Sequence, residues 1–401
     1  MSDPRPSSMQ LLRASNHLQV VHVMTALGQT TRAELSRRTG LSRTTISAIV
    51  GDMLEVGVVV EQEAAAAGQI GRPPIMLTLQ PGAAHAIGID FDHDKVHVAI
   101  SDLAGAVIAE GHASWDVDGD ARGAMNCAGS LIEQAVATAG VDPTRALGAG
   151  VALAGPIDPA TGAVHPASGV LPSWLGLDPR AELEQALGTK VYIDNDANLG
   201  ALAEFTTGAG RGATALAYIA ISAGVGAGFL IDGQPFRGHR GLAGEFGHIL
   251  IDASGTLCRC GNRGCLETVV SGPALTALLH AGQGISLTTA ELVTRAREGD
   301  RGSRRLIADA GQAIGTALAS LVAVYGPDVV VIGGDLGEAG DLLLDPVRET
   351  VRRFAPPATT EGLQIAQGAL GDRAILLGAL ALVVRQSGEI VAGRVAEAMA
   401  S

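Results

Sequence analysis

Four cysteines in 401 residues are too few for a disulfide framework, and three of them fall between positions 258 and 265, which points to a metal site instead. No apolar run reaches the roughly eighteen residues of a membrane span, and the amino terminus lacks the charged-then-apolar layout of a signal peptide. A cytoplasmic protein with no membrane partner is therefore expected. An excess of basic charge is missing too: 28 Lys and Arg stand against 41 Asp and Glu, a net charge of -13, which over the chain as a whole argues against a nucleic-acid binder. No short tandem repeat is present. The length calls for two or three domains with a sizeable core.

The average charge hides an asymmetry. Residues 1–80 hold seven Arg against six acids and carry +1, whereas the remainder carries -14, so the amino-terminal segment is electrostatically a different object. Asn16 is placed to cap a helix whose apolar residues Leu18, Val21, Met24 and Leu27 recur at helical spacing before Gly28. In "TRAEL" the pair Thr31 and Glu34 reads as a capping box, and Gly40 ends that second helix. A third helix restarts at Ser42 with Ile46, Ile49, Val50, Met53 and Leu54 as its buried stripe, and Gly57 closes it. Two short helices joined by "TGLS" form a helix-turn-helix. "VVVEQ" and "IGRPPIMLTL", the latter with Ile75, Leu77 and Leu79 alternating, read as a two-stranded wing. Arg37, Arg38 and Arg43 with Ser42, Thr44, Thr45 and Ser47 supply cations for phosphates and short hydroxyls for base edges. Arg72, in a stiff Gly-Arg-Pro-Pro segment, suits a narrow minor groove. A small helical bundle serving only oligomer contacts is the plainer alternative for this segment.

From Ala86 onward the texture changes. Strands such as "HAIGIDF", "KVHVAISD", "AVIAEG" and "ALGAGVALAG", then "ALAYIAIS" and "GAGFLIDG", suggest two mixed-sheet lobes of similar build with a ligand crevice between them. The expected division is a winged helix-turn-helix over 1–80, a first lobe over 81–200 and a second lobe with the metal site over 201–401.

The strongest local signal is "GHILIDASGTLCRCGNRGCLE". Cys258, Cys260, Cys265 and His248 provide three thiolates and an imidazole, enough for one tetrahedral zinc per chain with no open position, hence a structural site. Cys127 lies far away and reads as an ordinary buried thiol. Glu245 stands three residues before His248, so on a helical turn both face one side. A carboxylate beside a metal-bound imidazole makes a rigid polar corner suited to a sugar diol. "YIDNDANLGALAE" puts Asn195, Asp196 and Asn198 between a strand and a helix, where they either cap the helix or, through Asp196, accept a hydroxyl proton. "ISAGVGAG" is a glycine turn able to cradle a phosphate, a weak signal alone.

Together, "AGEFGHI", "CRCGNRGCLE", "DNDAN" and "GVALAGPIDPATG" behind a winged helix resemble the ROK family of repressors, open reading frames and sugar kinases, over nearly the whole length. The resemblance implies an actin-like, ribonuclease-H-type two-lobed sugar-kinase fold of the α/β class. It implies zinc at His248, Cys258, Cys260 and Cys265, and sugar contacts at Asn195, Asp196, Glu245, His248 and Glu267, with Asp196 the base in the family's kinases. Two departures stand out. The kinases follow the first strand with an Asp-x-Gly-Gly-Thr turn, and here Asp90 is followed by Phe91, Asp92, His93 and Asp94, whose side chains obstruct and repel a polyphosphate. Val170, in "SGVLPSW", takes the place of a polar sugar contact.

The expected function is thus a sugar-responsive transcriptional regulator, a repressor by preference, with no catalytic residue. It would bind operator DNA and a small sugar or sugar phosphate as a homodimer or homotetramer. Few Lys near the sugar motifs favour a neutral saccharide, whereas Arg237 and Arg240 leave the phosphorylated case open. The rival is a working ATP-dependent sugar kinase with a DNA-binding module attached.

Overall fold

The computed structural model describes residues 29–55, 57–63, 75–80, 82–103, 105–166 and 169–398, with isolated residues between 16 and 27 and side chains as far as residue 386. Thr31 opens the helix Arg32–Thr39 by accepting from the Glu34 N–H at 3.2 Å. The expected capping box is only half made: the Glu34 carboxylate turns outward to Arg37 and Arg38 rather than back to the Thr31 backbone. Two guanidiniums within one turn outcompete a single backbone donor. Gly40, at φ 71, lets the chain reverse into the helix Arg43–Glu55, a left-handed position that L side chains resist.

Ile46, Ile49, Val50 and Met53 are buried as the stripe required. Leu27, expected inside, is exposed. The hairpin gains a strand beyond the expected two. β1 (Gln29–Thr30) pairs with β3 (Ile75–Leu79), which pairs antiparallel with β2 (Val59–Glu63).

Two five-stranded sheets follow. The first contains β4 (His85–Asp92), β5 (Lys95–Asp102), β6 (Val107–Ser114), β7 (Ala146–Leu153) and β8 (Val191–Asn195) in the order β6-β5-β4-β7-β8. The second contains β9 (Ala215–Ile221), β10 (Val225–Ile231), β11 (Gln234–Pro235), β12 (Val329–Gly333) and β13 (Gln364–Gln367) in the order β11-β10-β9-β12-β13. Each sheet is a three-strand antiparallel meander extended by two parallel strands. This shared order is the duplicated architecture that the strand pattern suggested. Strands β4, β7 and β12 are buried along nearly their whole length, as parallel or central strands covered on both faces must be.

The helix Arg301–Tyr325 is, among the described residues, the one helix long and apolar enough by composition to cross a membrane. Here it is a core helix: Ile307, Ile314, Leu318 and Val322 are buried in the second lobe. The last helix, Ala374–Ala398, returns to the first sheet. It crosses so closely that a Cβ on Gly88 would lie 2.9 Å from Leu380 Cγ, and one on Gly150 would lie 2.0 Å from the Ala379 carbonyl oxygen. Leu376, Leu380, Val383 and Val384 join one apolar cluster with Ala86, Ala99 and Leu147 of the first lobe and with Val50, Met53 and Leu77 of the amino-terminal head.

Candidate functional site

Between the two sheets lies a cleft of about 430 Å³. β8 ends at its rim, and the helix Asp196–Thr206 begins there. Asn195 caps that helix, accepting from the Asn198 N–H at 3.2 Å, while its own amide donates to the Gly155 carbonyl and to Asp196 Oδ1. The plainer role of Asn195 is therefore real, and it also holds Asp196 in place. Burial pushes the Asp196 carboxyl up to about 6, against the stabilising N–H of Ala197. The raised carboxyl is a stronger proton acceptor than an ordinary aspartate.

Asp194, one residue earlier, is buried and receives both Nε and Nη2 of Arg237 from the second lobe, at 2.8 and 2.6 Å. Arg237 is thereby spent on a carboxylate that ties the lobes together, which reduces its availability to a phosphate. Val170 is buried and lines the cleft as a plain apolar wall.

Opposite stand Glu245 and the one-turn helix Phe246–His248. His248 turns Nδ1 toward Cys258 Sγ, 3.5 Å away, and Nε2 toward Glu245 Oε2, 3.6 Å away. With Cys260 Sγ and Cys265 Sγ 3.7 Å apart, the four ligand atoms all lie within 4.8 Å of one another. Tetrahedral zinc with Zn–S bonds of about 2.3 Å needs ligand edges of just under about 4 Å, so the donor set fits. Burial and the neighbouring thiols push Cys265 up to about 12, and a dication is what makes three adjacent thiolates tenable. Burial, together with the charge of Glu267, also raises the Glu245 carboxyl, while His248 opposes the shift. Glu267 itself opens the short helix Glu267–Val270 and lines the cleft.

The other half of the cleft is acidic. Asp92 ends β4, His93 and Asp94 form the turn to β5, and His93 Nδ1 is pinned 2.9 Å from Asp118 Oδ1. Asp335, Glu338 and Asp372 line the same side, with Lys95 among them. Asp335 is raised by burial and by the charge of Asp92. Asp90, only 5% exposed, is pushed up to about 8 by burial first and then by Asp92 and Asp196. Between its ordinary value of 3.8 and about 8, the folded state keeps a proton on Asp90 that the unfolded chain has released. Stability therefore falls as pH rises through this window and levels off above it. Asp90→Asn removes the titration, and its melting temperature should exceed that of the wild type by a margin growing from pH 5 to pH 8, worth several kcal/mol at most. A margin that does not change with pH would show Asp90 to be an ordinary carboxylate.

In the amino-terminal head, Arg37, Arg38, Arg43, Thr44 and Ser47 are exposed. Ser42 accepts the Thr45 N–H at 3.1 Å and pairs with its hydroxyl at 2.8 Å, so these two act first as a helix cap. Arg72 lies outside the described residues. Sequence reasoning missed the buried Asp194 that holds Arg237, and Asp335, Asp372 and Arg259 in the cleft. The last was hidden as the spacer of a Cys-x-Cys motif.

The model of the ROK family matches residues 86–386. The chain is 32% identical to a xylose repressor of Caldicellulosiruptor bescii over 387 residues, covering 93% of this chain and 96% of the repressor. It is 30% identical to a glucokinase of Thermotoga maritima, a match that covers 60% of this chain and 80% of the kinase. A crystal structure of a ROK family transcriptional regulator, a homologue of the Escherichia coli Mlc protein, superposes with a TM-score of 0.81 at 24% identity, over 96% of this chain and 99% of that one. At that identity the superposition speaks for the fold.

Proposed function

The chain belongs to the ROK family, and from that premise we propose that it is a sugar-responsive DNA-binding transcriptional regulator, by preference a repressor. The observation that carries the reading is the pairing, on one chain, of a helix-turn-helix head with a sugar-type corner whose polyphosphate side is lined by Asp92, Asp94, Asp335 and Asp372. Carboxylates there repel a nucleotide triphosphate at kcal-scale cost per pair, while positioning and charge neutralisation are most of what a phosphoryl-transfer site supplies. The repressor relative also spans the head, which the shorter glucokinase match supports less.

In this reading Asn195, Asp196, Glu245, His248 and Glu267 meet the sugar hydroxyls, and one zinc per chain is held by His248, Cys258, Cys260 and Cys265. When bound, the zinc fixes the imidazole so that Nε2 faces the cleft. Arg37, Arg38, Ser42, Arg43, Thr44, Thr45, Ser47 and Arg72 face operator DNA, and the protein works in the cytoplasm as a homodimer or homotetramer. With Arg237 held by Asp194 and Arg259 by Glu267, a neutral sugar is favoured over a sugar phosphate.

The test is to select genomic fragments that bind the protein, read which catabolic genes they flank and assay the corresponding sugars for release. Magnesium, ATP and a panel of hexoses and pentoses should give no phosphorylation above background. The kinase reading is supported by Asp196 at the helix start and by the glucokinase relative. Turnover on the order of one per second, lost in Asp196→Ala, would establish it instead.

A further inference from the structure

Arg259 stands between two of the metal-ligating cysteines, yet its side chain reaches into the cleft. Its Nη2 donates to Glu267 Oε2 at 2.8 Å, and the Val225 N–H donates to the same oxygen at 3.0 Å. Glu267 is 7% exposed, and among the described residues its other oxygen, Oε1, has no protein donor. Two donors on one oxygen fix the plane of the carboxylate and leave the second oxygen as a directed acceptor.

Room for the pair is made by Gly224. A Cβ there would lie 2.8 Å from Arg259 Nη2 and 3.0 Å from Glu267 Oε2. The root of Arg259 is held by a tight turn, in which the Cys258 N–H donates to the Asn262 carbonyl at 2.7 Å and the Gly261 N–H to the Cys258 carbonyl at 3.0 Å.

We propose that Arg259 is the positioning residue of the sugar corner: the metal-bound turn aims its guanidinium, which in turn holds Glu267 so that Oε1 meets a sugar hydroxyl. This rests on the sugar-regulator reading. A lysine at the same place would offer a point charge without the planar fork, so it should hold Glu267 less firmly. The motif's spacer position would then act on the sugar without ligating the metal.

The test uses the full-length protein and calorimetry with D-xylose, D-glucose and N-acetyl-D-glucosamine, carrying forward whichever binds most tightly. Arg259→Ala should weaken that sugar on the order of 10- to 100-fold, the range for a hydrogen bond to a charged group, with zinc content and operator binding unchanged. Arg259→Lys should recover part of the loss. Glu267→Gln should weaken the same sugar, and adding Arg259→Ala to it should cost less than about twofold more, because residues acting through one contact are non-additive. Gly224→Ala, which intrudes on the pair from the opposite side, should weaken the sugar as well.

Unchanged affinity in Arg259→Ala, or losses that simply multiply in the double variant, overturns the role while leaving the sugar reading intact. Loss of zinc or of operator binding in Arg259→Ala, with no intermediate behaviour in Arg259→Lys, makes the residue a folding element and also overturns it. Wild-type protein that binds none of the three sugars removes the sugar reading and this role with it.

Discussion

Purified protein should carry one zinc ion per chain, and Cys260→Ser should lose the ion and most of the sugar affinity while operator binding survives. Cys260 is exposed, so serine leaves no cavity, and the loss is that of a soft ligand. What the ion would hold is poor in other support. The segment 249–266 is organised by isolated bridges, Leu250 with Cys265 and Leu257 with Arg263, rather than by a sheet. Its turns are already at their steric limit: Gly264 sits at φ 68, and a Cβ there would come within 1.5 Å of the Asp252 carbonyl oxygen.

A structural zinc contributes on the order of 10 kcal/mol to small folds that depend on it. Here its removal frees His248, Arg259 and, through them, Glu245 and Glu267. The amino-terminal head packs in an apolar cluster with the first lobe and the last helix, whereas Ile249, Ile251 and Leu266 of that segment belong to a different cluster, so the head should still engage DNA. Metal analysis of freshly purified wild type decides the first half, and sugar calorimetry with gel shifts on the variant decides the second. Zinc-free wild type that responds fully to sugar would overturn the assignment.

The cysteine segment was legible because its ligands are close in sequence, and Glu245 because it is three residues from His248. The duplicated lobes were legible because strand-like runs of similar texture succeed one another in both halves of the chain. The pairs that organise the cleft were not. Arg237 and Asp194 are 43 residues apart, and His93 and Asp118 are 25 apart, and no local periodicity joins them.

The helix "RAILLGALALVV" was recognisable as a helix, but its destination was not. An all-round apolar helix fits either lobe, and only glycines at 88 and 150 on the receiving strands permit the observed crossing. Glu34 shows the converse case. The sequence pattern for a capping box was present, and two nearby arginines diverted the carboxylate.

Glu245→Ala should bind operator as the wild type does and no longer release it when sugar is added, making a constitutive repressor. The variant removes a hydroxyl acceptor at the cleft and touches nothing in the head. Release requires that the two ends communicate, and the last helix offers a route. Ile375, at its start, lines the cleft beside Asp372. Leu376 and Leu380 pack under the first sheet, and Val383 and Val384 share the head's apolar cluster. Farther along, Arg385 donates to the Gly233 carbonyl in the second lobe at 2.7 Å. A change in the angle between the lobes would strain this one helix, and in a dimer it would shift the spacing of two heads that must enter successive major grooves about 34 Å apart. Sugar can move that equilibrium only by its differential affinity for the two states, and a hundredfold preference corresponds to about 2.7 kcal/mol of coupling. By reciprocity, saturating operator DNA should weaken sugar binding to the wild type by the same factor, about a hundredfold in that case. Calorimetric titration of sugar with and without operator measures it directly, and equal affinities would mean that cleft and head are uncoupled.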